Sequence, residues 1–188
     1  MLKIAIVGNI ASGKSTVESI IKEKGFKVID TDKISHDILA GSFAVRKMFA
    51  DDNILTDGQI DRKKLGAVVF KDKEKMKLLE LILHPQIVTE LLKIFQGDED
   101  IIFVSVPQLF EANFEKLFDK IVFINSDEYI RLKRLMQRNG LSEDDALLRI
   151  RAQMSAEEKI PKCDYVIENN SSLEDLKTKT EELLSNIR

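Results

Sequence analysis

One stretch constrains this chain more than any other: GNIASGKST, residues 8–16, set between the apolar run IAIV and the segment VESIIKEKG. Gly8 to Ser15 fits the pattern G-x-x-x-x-G-K-S/T. A strand must end, the backbone must turn through conformations that glycine adopts freely, and a helix must begin. Successive backbone N–H groups then point inward as an anion nest at the positive end of a helix dipole. Lys14 reaches the outer phosphates of a nucleotide and the Ser15 hydroxyl is offered to Mg²⁺. Gly8, Ala11, Ser12, Gly13, Lys14, Ser15 and Thr16 are the nucleotide-contacting residues expected here. A plain strand-to-helix turn is the competing account, and the agreement of motif and context disfavours it.

The loop sits at the head of a strand–helix alternation. Apolar runs at Ile4–Val7, Lys27–Ile29, Ile101–Val104, Ile121–Ile124 and Tyr165–Ile167 are near-continuous, as in parallel strands covered on both faces. Between them run helical patterns. Val17, Ile20 and Ile21 share one face ahead of a capping Gly25. Leu173, Leu176, Thr180, Leu183, Leu184 and Ile187 share another, with Ser172 and Asp175 capping its start. Such alternation implies a right-handed parallel α/β sheet.

Two segments interrupt it. Residues 52–97 show no convincing strand and read as a helical insertion, in which Pro85 starts or kinks a helix. Residues 126–160 are densely charged and read as two helices joined at Asn139-Gly140, the second capped by Ser142 and Asp145, forming an excursion above the sheet. The expected organisation is one domain over 1–188. Its core is formed by about 1–51, 98–125 and 161–188, with the insertion at about 52–97 and a helical lid at about 126–160.

Composition matters mainly for what it excludes. A net charge of −3 over 188 residues offers no global attraction to nucleic acid or to an anionic membrane, so neither partner is expected. No apolar run approaches a membrane span, and the N-terminal MLKIAIVGN reads as a first strand rather than a signal peptide. One cysteine, Cys163, rules out an internal disulfide and fits a reducing compartment; a cytoplasmic location is expected. Two histidines and one cysteine, far apart, give a zinc site or thiol triad little support. His84 before Pro85 reads as a packed or capping residue, and His36 as a helix residue near the aspartates.

Beyond the loop, Asp30 and Asp32 in KVIDTDKISHDIL fall at a strand's C-terminal end, where open α/β sheets bind their ligands. Either could accept a proton from an attacking hydroxyl or hold a metal through water; helix capping accounts for them equally well. Arg131, Arg134 and Arg138 lie at i, i+3 and i+7 on one helical stripe, with Arg149 and Arg151 on the next helix. A solvated, ion-paired face is the ordinary account of such a run. Placed over a phosphate loop, the same face would stabilise charge on a transferring phosphoryl group, Arg138 foremost.

Among phosphate-loop proteins, a regulatory GTPase would need N-K-x-D and D-x-x-G, and neither occurs in this chain. A mechanochemical ATPase would show an apolar strand ending in Asp, whereas IIFVSV has Ser105 there. The carboxylates of the short second strand, the helical insertion and the arginine-rich lid suggest a small-molecule kinase, which encloses its acceptor and excludes water. The alternatives are another small-molecule kinase, for a nucleoside, a nucleotide or a small alcohol, and, further off, a nucleotide-dependent switch.

The sequence as a whole resembles the dephospho-CoA kinase family. The resemblance runs through GNIASGKST, VIDTDKISH (similar to V-I-D-A-D), DGQIDRKKL (similar to D-G-x-L/I-D-R-x-x-L), LHPQI (similar to H-P-x-I) and VPQLFE (similar to V-P-L-L-F-E). It continues through the lid segment LKRLMQRNGLSEDDALLRIRAQ and CDYVIENN. The chain departs from it at Gln108, at Ser105, and at Asn9 and Ala11 of the loop. The resemblance implies a five-stranded parallel sheet of the P-loop nucleotide-kinase type, with a helical substrate-binding insertion and a helical lid. It implies ATP as phosphoryl donor with Mg²⁺, and the ribose 3′-hydroxyl of dephospho-CoA as acceptor. By matching positions it implies Asp32 as the carboxylate facing that hydroxyl, Arg138 as a lid residue over the nucleotide, and Asn170 near adenine.

Overall fold

The computed structural model describes residues 1–187. In chain order its strands and α-helices begin with β1 (Leu2–Gly8), α1 (Lys14–Glu23), β2 (Lys27–Asp30), α2 (Thr31–Gly41) and α3 (Phe43–Met48). Next come β3 (Leu55–Thr56), β4 (Gln59–Ile60), α4 (Arg62–Val69), α5 (Lys73–Ile94), β5 (Ile101–Ser105) and β6 (Lys120–Asn125). The chain closes with α6 (Glu128–Asn139), α7 (Glu143–Arg151), α8 (Ala156–Lys159), β7 (Tyr165–Glu168) and α9 (Leu173–Asn186). These elements form two compact units, one of residues 1–30 together with 98 onward, the other Thr31–Gly97.

The first unit holds a five-stranded sheet in the order β2-β5-β1-β6-β7, parallel at every pairing. All five expected strands are present, each extended by one to three residues. β1 lies in the middle and the connections leave it in both directions, so its C-terminal end is the switch point at which α/β sheets bind ligands. Ile4 to Val7 are fully or almost fully buried, as are Ile102, Phe103 and Val104 of β5 and Val122 to Ile124 of β6. Central strands buried in this way read as unbroken apolar runs, which made them visible in the sequence. Against one face pack Val17, Ile20 and Ile21 of α1 with Leu176 and Leu183 of α9 and Ile187 beyond it. Each such side chain contributes roughly 1.5–3 kcal/mol on burial. Leu173, expected on the same stripe, is 67% exposed, because the first turn of α9 precedes its contact with the sheet.

Helix ends follow their sequence signals. After α1, the Gly25 N–H bonds to the Lys22 carbonyl (2.9 Å) and the Phe26 N–H to the Ile21 carbonyl (3.3 Å), the paired closure of a glycine-ended helix. Gly140 ends α6, and Ser142 and Ser172 accept from the N–H groups of Asp145 and Asp175 to start α7 and α9.

The second unit is mostly helical, with α2, α3 and α4 packed on the 22-residue α5. It also contains a hairpin that the sequence reading missed. Leu55 pairs with Ile60 and Thr56 with Gln59 around Asp57-Gly58, both at positive φ (49° and 73°). Asp-Gly is a strong signal for this two-residue turn. Strands two residues long show no alternation, so nothing set this segment apart within the helical insertion expected over residues 52–97. Asp61 closes the hairpin through Thr56 and caps α4 through the N–H groups of Lys63 and Lys64. Pro85 lies well inside α5 rather than at its start, and side chains bond to carbonyls around it, Gln86 to Ile82 and Thr89 to Pro85.

At the foot of the sheet two aspartates do the same job on successive strands. Asp119 gives its N–H to the Lys3 carbonyl and accepts from the Lys3 N–H, both at 2.8 Å. Asp164 gives its N–H to the Ile121 carbonyl, and its carboxylate accepts from the Ile121 N–H and from Lys120 Nζ. Burial works to raise the Asp164 pKa, but the bonds from Lys120 and Ile121 outweigh it and hold it below the ordinary 3.8. A carboxyl depressed in the folded state stabilises above its unfolded pKa, and that stabilisation is lost as pH falls through the folded value. Asp164→Asn should therefore lower the urea midpoint clearly at pH 7. Its deficit against the parent chain should shrink below about pH 4, where the parent's carboxyl protonates too.

Candidate active site

The phosphate loop leaves β1 at Gly8, whose place beside Ile124 excludes a side chain: a Cβ there would lie 2.6 Å from Ser12 Oγ and 3.0 Å from the Ile124 carbonyl. The backbone then turns through Ala11 (φ 62°) and Gly13 (φ 94°), with the Ser12 N–H bonded to the Asn9 carbonyl at 3.0 Å. Ala11 pays a small penalty at its left-handed position; Gly13 is required twice over. Besides its φ, a Cβ there would sit 2.1 Å from Asn169 Nδ2. Gly13 is the N-cap of α1 and no side chain caps that helix start. Most helices in this chain begin on an Asp or Ser cap; this one leaves its first N–H groups without a side-chain acceptor, the condition an anion site requires.

A loop that reserves its own donors must be held by others. Asn169, buried at the end of β7, donates from Nδ2 to the Ser12 carbonyl at 2.7 Å. Gln153 Oε1 accepts from the Ile10 N–H at 2.7 Å, and the Met154 carbonyl accepts from Asn9 Nδ2 at 3.2 Å. The segment after α7 continues this bracing. Ser155 and Glu158 form a capping box at α8, and the buried Lys159 pairs with Glu111 at 2.9 Å. Lys162 lies over the Phe110 ring. The segment after α7 therefore ties the phosphate loop to the residues that follow β5.

Cations converge on this end of the sheet. Lys14, in the first turn of α1, places Nζ 2.7 Å from Glu18 Oε1 and bonds the hydroxyl of the fully buried Ser105. Arg134 donates to Ser126 Oγ (3.2 Å), to the Asn169 carbonyl (3.2 Å) and to Asn169 Oδ1 (3.4 Å). Arg131 is only 6% exposed; its Nε donates to the Ser126 carbonyl, while Nη1 has no hydrogen-bond partner among the described residues. It borders a cavity of about 410 Å³ lined also by Asn9, Asp127, Arg151 and Gln153. Burial lowers the Arg131 pKa against the opposing pull of Glu128 and Glu157.

The arginine stripe is thus divided. Arg131 and Arg134 turn into the fold, whereas Arg138, in the last turn of α6, is exposed and donates from Nε to its neighbour Asn139. Arg149 and Arg151 are exposed on α7. Of the consecutive asparagines, Asn170 is exposed and exchanges two bonds with Asp127, accepting from its N–H and donating to its carboxylate. It is Asn169 that reaches the loop, and the alternation of the preceding strand, with Ile167 buried and Glu168 exposed, was the available signal. Asp30 ends β2 in the first unit; Asp32 is exposed in the first turn of α2 in the second. Cys163 is half-buried, its thiol pKa pushed up to about 11 by burial and by Asp164, with Sγ bonded to the Lys159 carbonyl. Such a thiol is inert at neutral pH. His84 lies within α5, its pKa lowered by burial.

Residues 2–175 match the family model described as dephospho-CoA kinase. The chain belongs to the dephospho-CoA kinase family. A dephospho-CoA kinase of Carboxydothermus hydrogenoformans is 46% identical over 179 residues, covering 91% of this chain and 87% of the relative. The structure of the dephospho-CoA kinase from Campylobacter jejuni superposes with a TM-score of 0.76 at 35% identity, covering 97% of this chain and 95% of that one. A shikimate kinase from Bacteroides thetaiotaomicron, at 16% identity and a TM-score of 0.57, shares the fold, with 98% of this chain and 96% of that one covered. The phosphate loop, its strand and its helix therefore occur here in the setting of a P-loop kinase.

Asn169 is the residue on which the loop geometry leans most. Asn169→Ala would orphan the Ser12 carbonyl and remove an Arg134 contact, a loss of about 1–3 kcal/mol. Thermal unfolding should register it, and calorimetric titration with ADP should show binding weakened about tenfold or more.

Proposed function

We propose that this chain transfers the γ-phosphoryl group of ATP to the 3′-hydroxyl of the ribose of dephospho-CoA, giving coenzyme A and ADP. The observation that carries the reading is the uncapped start of α1 behind a glycine loop, with Lys14 at its mouth, in a chain of the dephospho-CoA kinase family. The backbone N–H groups of Ala11, Gly13, Lys14 and Ser15 hold the phosphates, and Lys14 neutralises their outer charge. The fit to a nucleotide is physical: side chains at Gly8 and Gly13 would fill the cradle, and no side-chain cap competes for its donors.

Mg²⁺ bound with the nucleotide would screen the charge between the β- and γ-phosphates. Ser15 is the residue here suited to it, and no cluster of three His, Cys, Asp or Glu able to hold a metal occurs among the described residues. That fits an ion held mainly by phosphates and water with few protein ligands. Ser105, at the place where related ATPases carry a carboxylate, adds none.

In the transfer, the acceptor oxygen forms a bond to the γ-phosphorus as the bond from that phosphorus to the β-bridging oxygen breaks. ADP leaves and the hydroxyl proton passes to a carboxylate. We assign that carboxylate to Asp32 on the family resemblance of VIDTDKISH, and assign Arg138 to charge stabilisation from the lid and Asn170 to the adenine side. The helical second unit, including residues 52–97, would hold the pantetheine-bearing substrate. The experiment is a reaction of ATP with dephospho-CoA analysed by mass spectrometry: one phosphoryl group should appear at the 3′ position, and a panel of nucleosides should give none.

Two substitutions divide the roles. Asp32→Asn keeps size but removes charge and basicity, so kcat should fall about 10²-fold or more with ATP affinity little changed, and Asp30→Asn should cost less. Arg138→Lys keeps charge but loses the planar fork that grips phosphate oxygens. It should lower kcat while dephospho-CoA binding persists; equal kinetics in Arg138→Lys, Arg138→Ala and the parent would return Arg138 to the solvated face.

A further inference from the structure

Lys14 does not present a bare amine to the loop. Its Nζ lies 2.7 Å from Glu18 Oε1, one turn further along α1, with the two side chains only 19% and 11% exposed. The same amine bonds Ser105, which is wholly buried at the end of β5. Glu18 stands beside Val17 and is followed by Ile20 and Ile21, all buried, so its carboxylate sits where α1 is otherwise apolar. A carboxylate taken that far from water is tolerated only with a partner, and the partner here is Lys14.

That places two demands on one ammonium group. With the loop empty, Lys14 neutralises Glu18. When polyphosphate enters, Lys14 must turn its charge toward the phosphates. Glu18 then either loses its counter-ion while still buried or keeps a share of it and lies as a second anion behind the incoming one. Both outcomes oppose binding. We propose that Glu18 is a positioning residue that restrains Lys14 and thereby sets the affinity of the site for nucleotide phosphates, the leaving ADP included. The proposal rests on the role given to Lys14 above. Ser105 completes the arrangement: a hydroxyl can hold the amine in place without adding the negative charge that a carboxylate there would bring.

The test is a double-mutant cycle read by calorimetric titration of the full chain with MgADP, using Glu18→Gln, Lys14→Met and the pair together. Glu18→Gln keeps the shape and one acceptor for Lys14 but no charge. It should tighten ADP about tenfold, and in the Lys14→Met background the same change should alter affinity by less than about twofold. An equal gain in both backgrounds would mean that Glu18 acts through its field on the phosphates and not through Lys14, which overturns the proposal. So would unchanged or weaker binding by Glu18→Gln. Should Glu18→Gln fail to fold, Glu18→Asp retains the charge and withdraws it by one methylene. A smaller tightening that again needs Lys14 supports the proposal, and no tightening overturns it. Failure of the underlying reading looks different: Lys14→Met alone would then bind ADP as well as the parent chain does.

Discussion

A cradle of backbone N–H groups can bind phosphate only if most of those groups are not already spent, so the loop that forms it must be braced from outside as well as by its own Ser12–Asn9 bond. That constraint organises the first unit. β1 delivers the loop from the buried centre of the sheet, where its strand pairs with β5 on one side and β6 on the other. Asn169 grips the Ser12 carbonyl from the end of β7, and Gln153 and Met154 grip Ile10 and Asn9 from the segment after α7. The start of α1 is left without a side-chain cap. Asn9 Oδ1 and Ser12 Oγ, buried and without partners among the described residues, are part of the cost of the loop's conformation.

The second organising term is positive charge kept close to that loop. A buried cation needs an acceptor, and the fold supplies different ones. Lys14 has Glu18 and Ser105, Arg134 has Ser126 and Asn169, and Lys159 has Glu111. Arg131 is satisfied at Nε but, among the described residues, not at Nη1. These contacts are few and specific, so their value lies in position more than in stability; buried ion pairs often do no better energetically than an apolar replacement. Arg134 and Asn169 are one network, which links the arginine-rich helix α6 to the loop that the sequence had set beneath it.

Legibility followed physical scale. Periodic burial extends over several residues, so the five strands, the buried face of α1 and most of the α9 stripe could be read directly, and glycine and serine caps marked where helices end and begin. The β3–β4 hairpin was missed because its strands are two residues long and too short for any alternation, although Asp57-Gly58 was in plain view. Leu173 was misplaced because a helical stripe does not say where along the helix the sheet begins. Chemistry at the loop was legible for a related reason: the residues that make an anion nest must be consecutive.

Partners brought together from afar were not legible. Asn169 stands 157 positions from Ser12, and only the alternation of the preceding strand distinguishes it from Asn170, which turns to Asp127 instead. Arg131, Arg134 and Arg138 share one helical stripe in the sequence, yet the first two are drawn inward to Ser126 while the last lies beyond that contact at the end of α6. By itself the sequence determined the alternation of strands and helices along the chain, the phosphate loop and the family to which both belong. The tertiary structure alone decided which asparagine braces the loop, which arginines are buried beside it and which carboxylate holds Lys14. Those choices depend on distances across the sheet, and a linear pattern carries periodicity but no such distances.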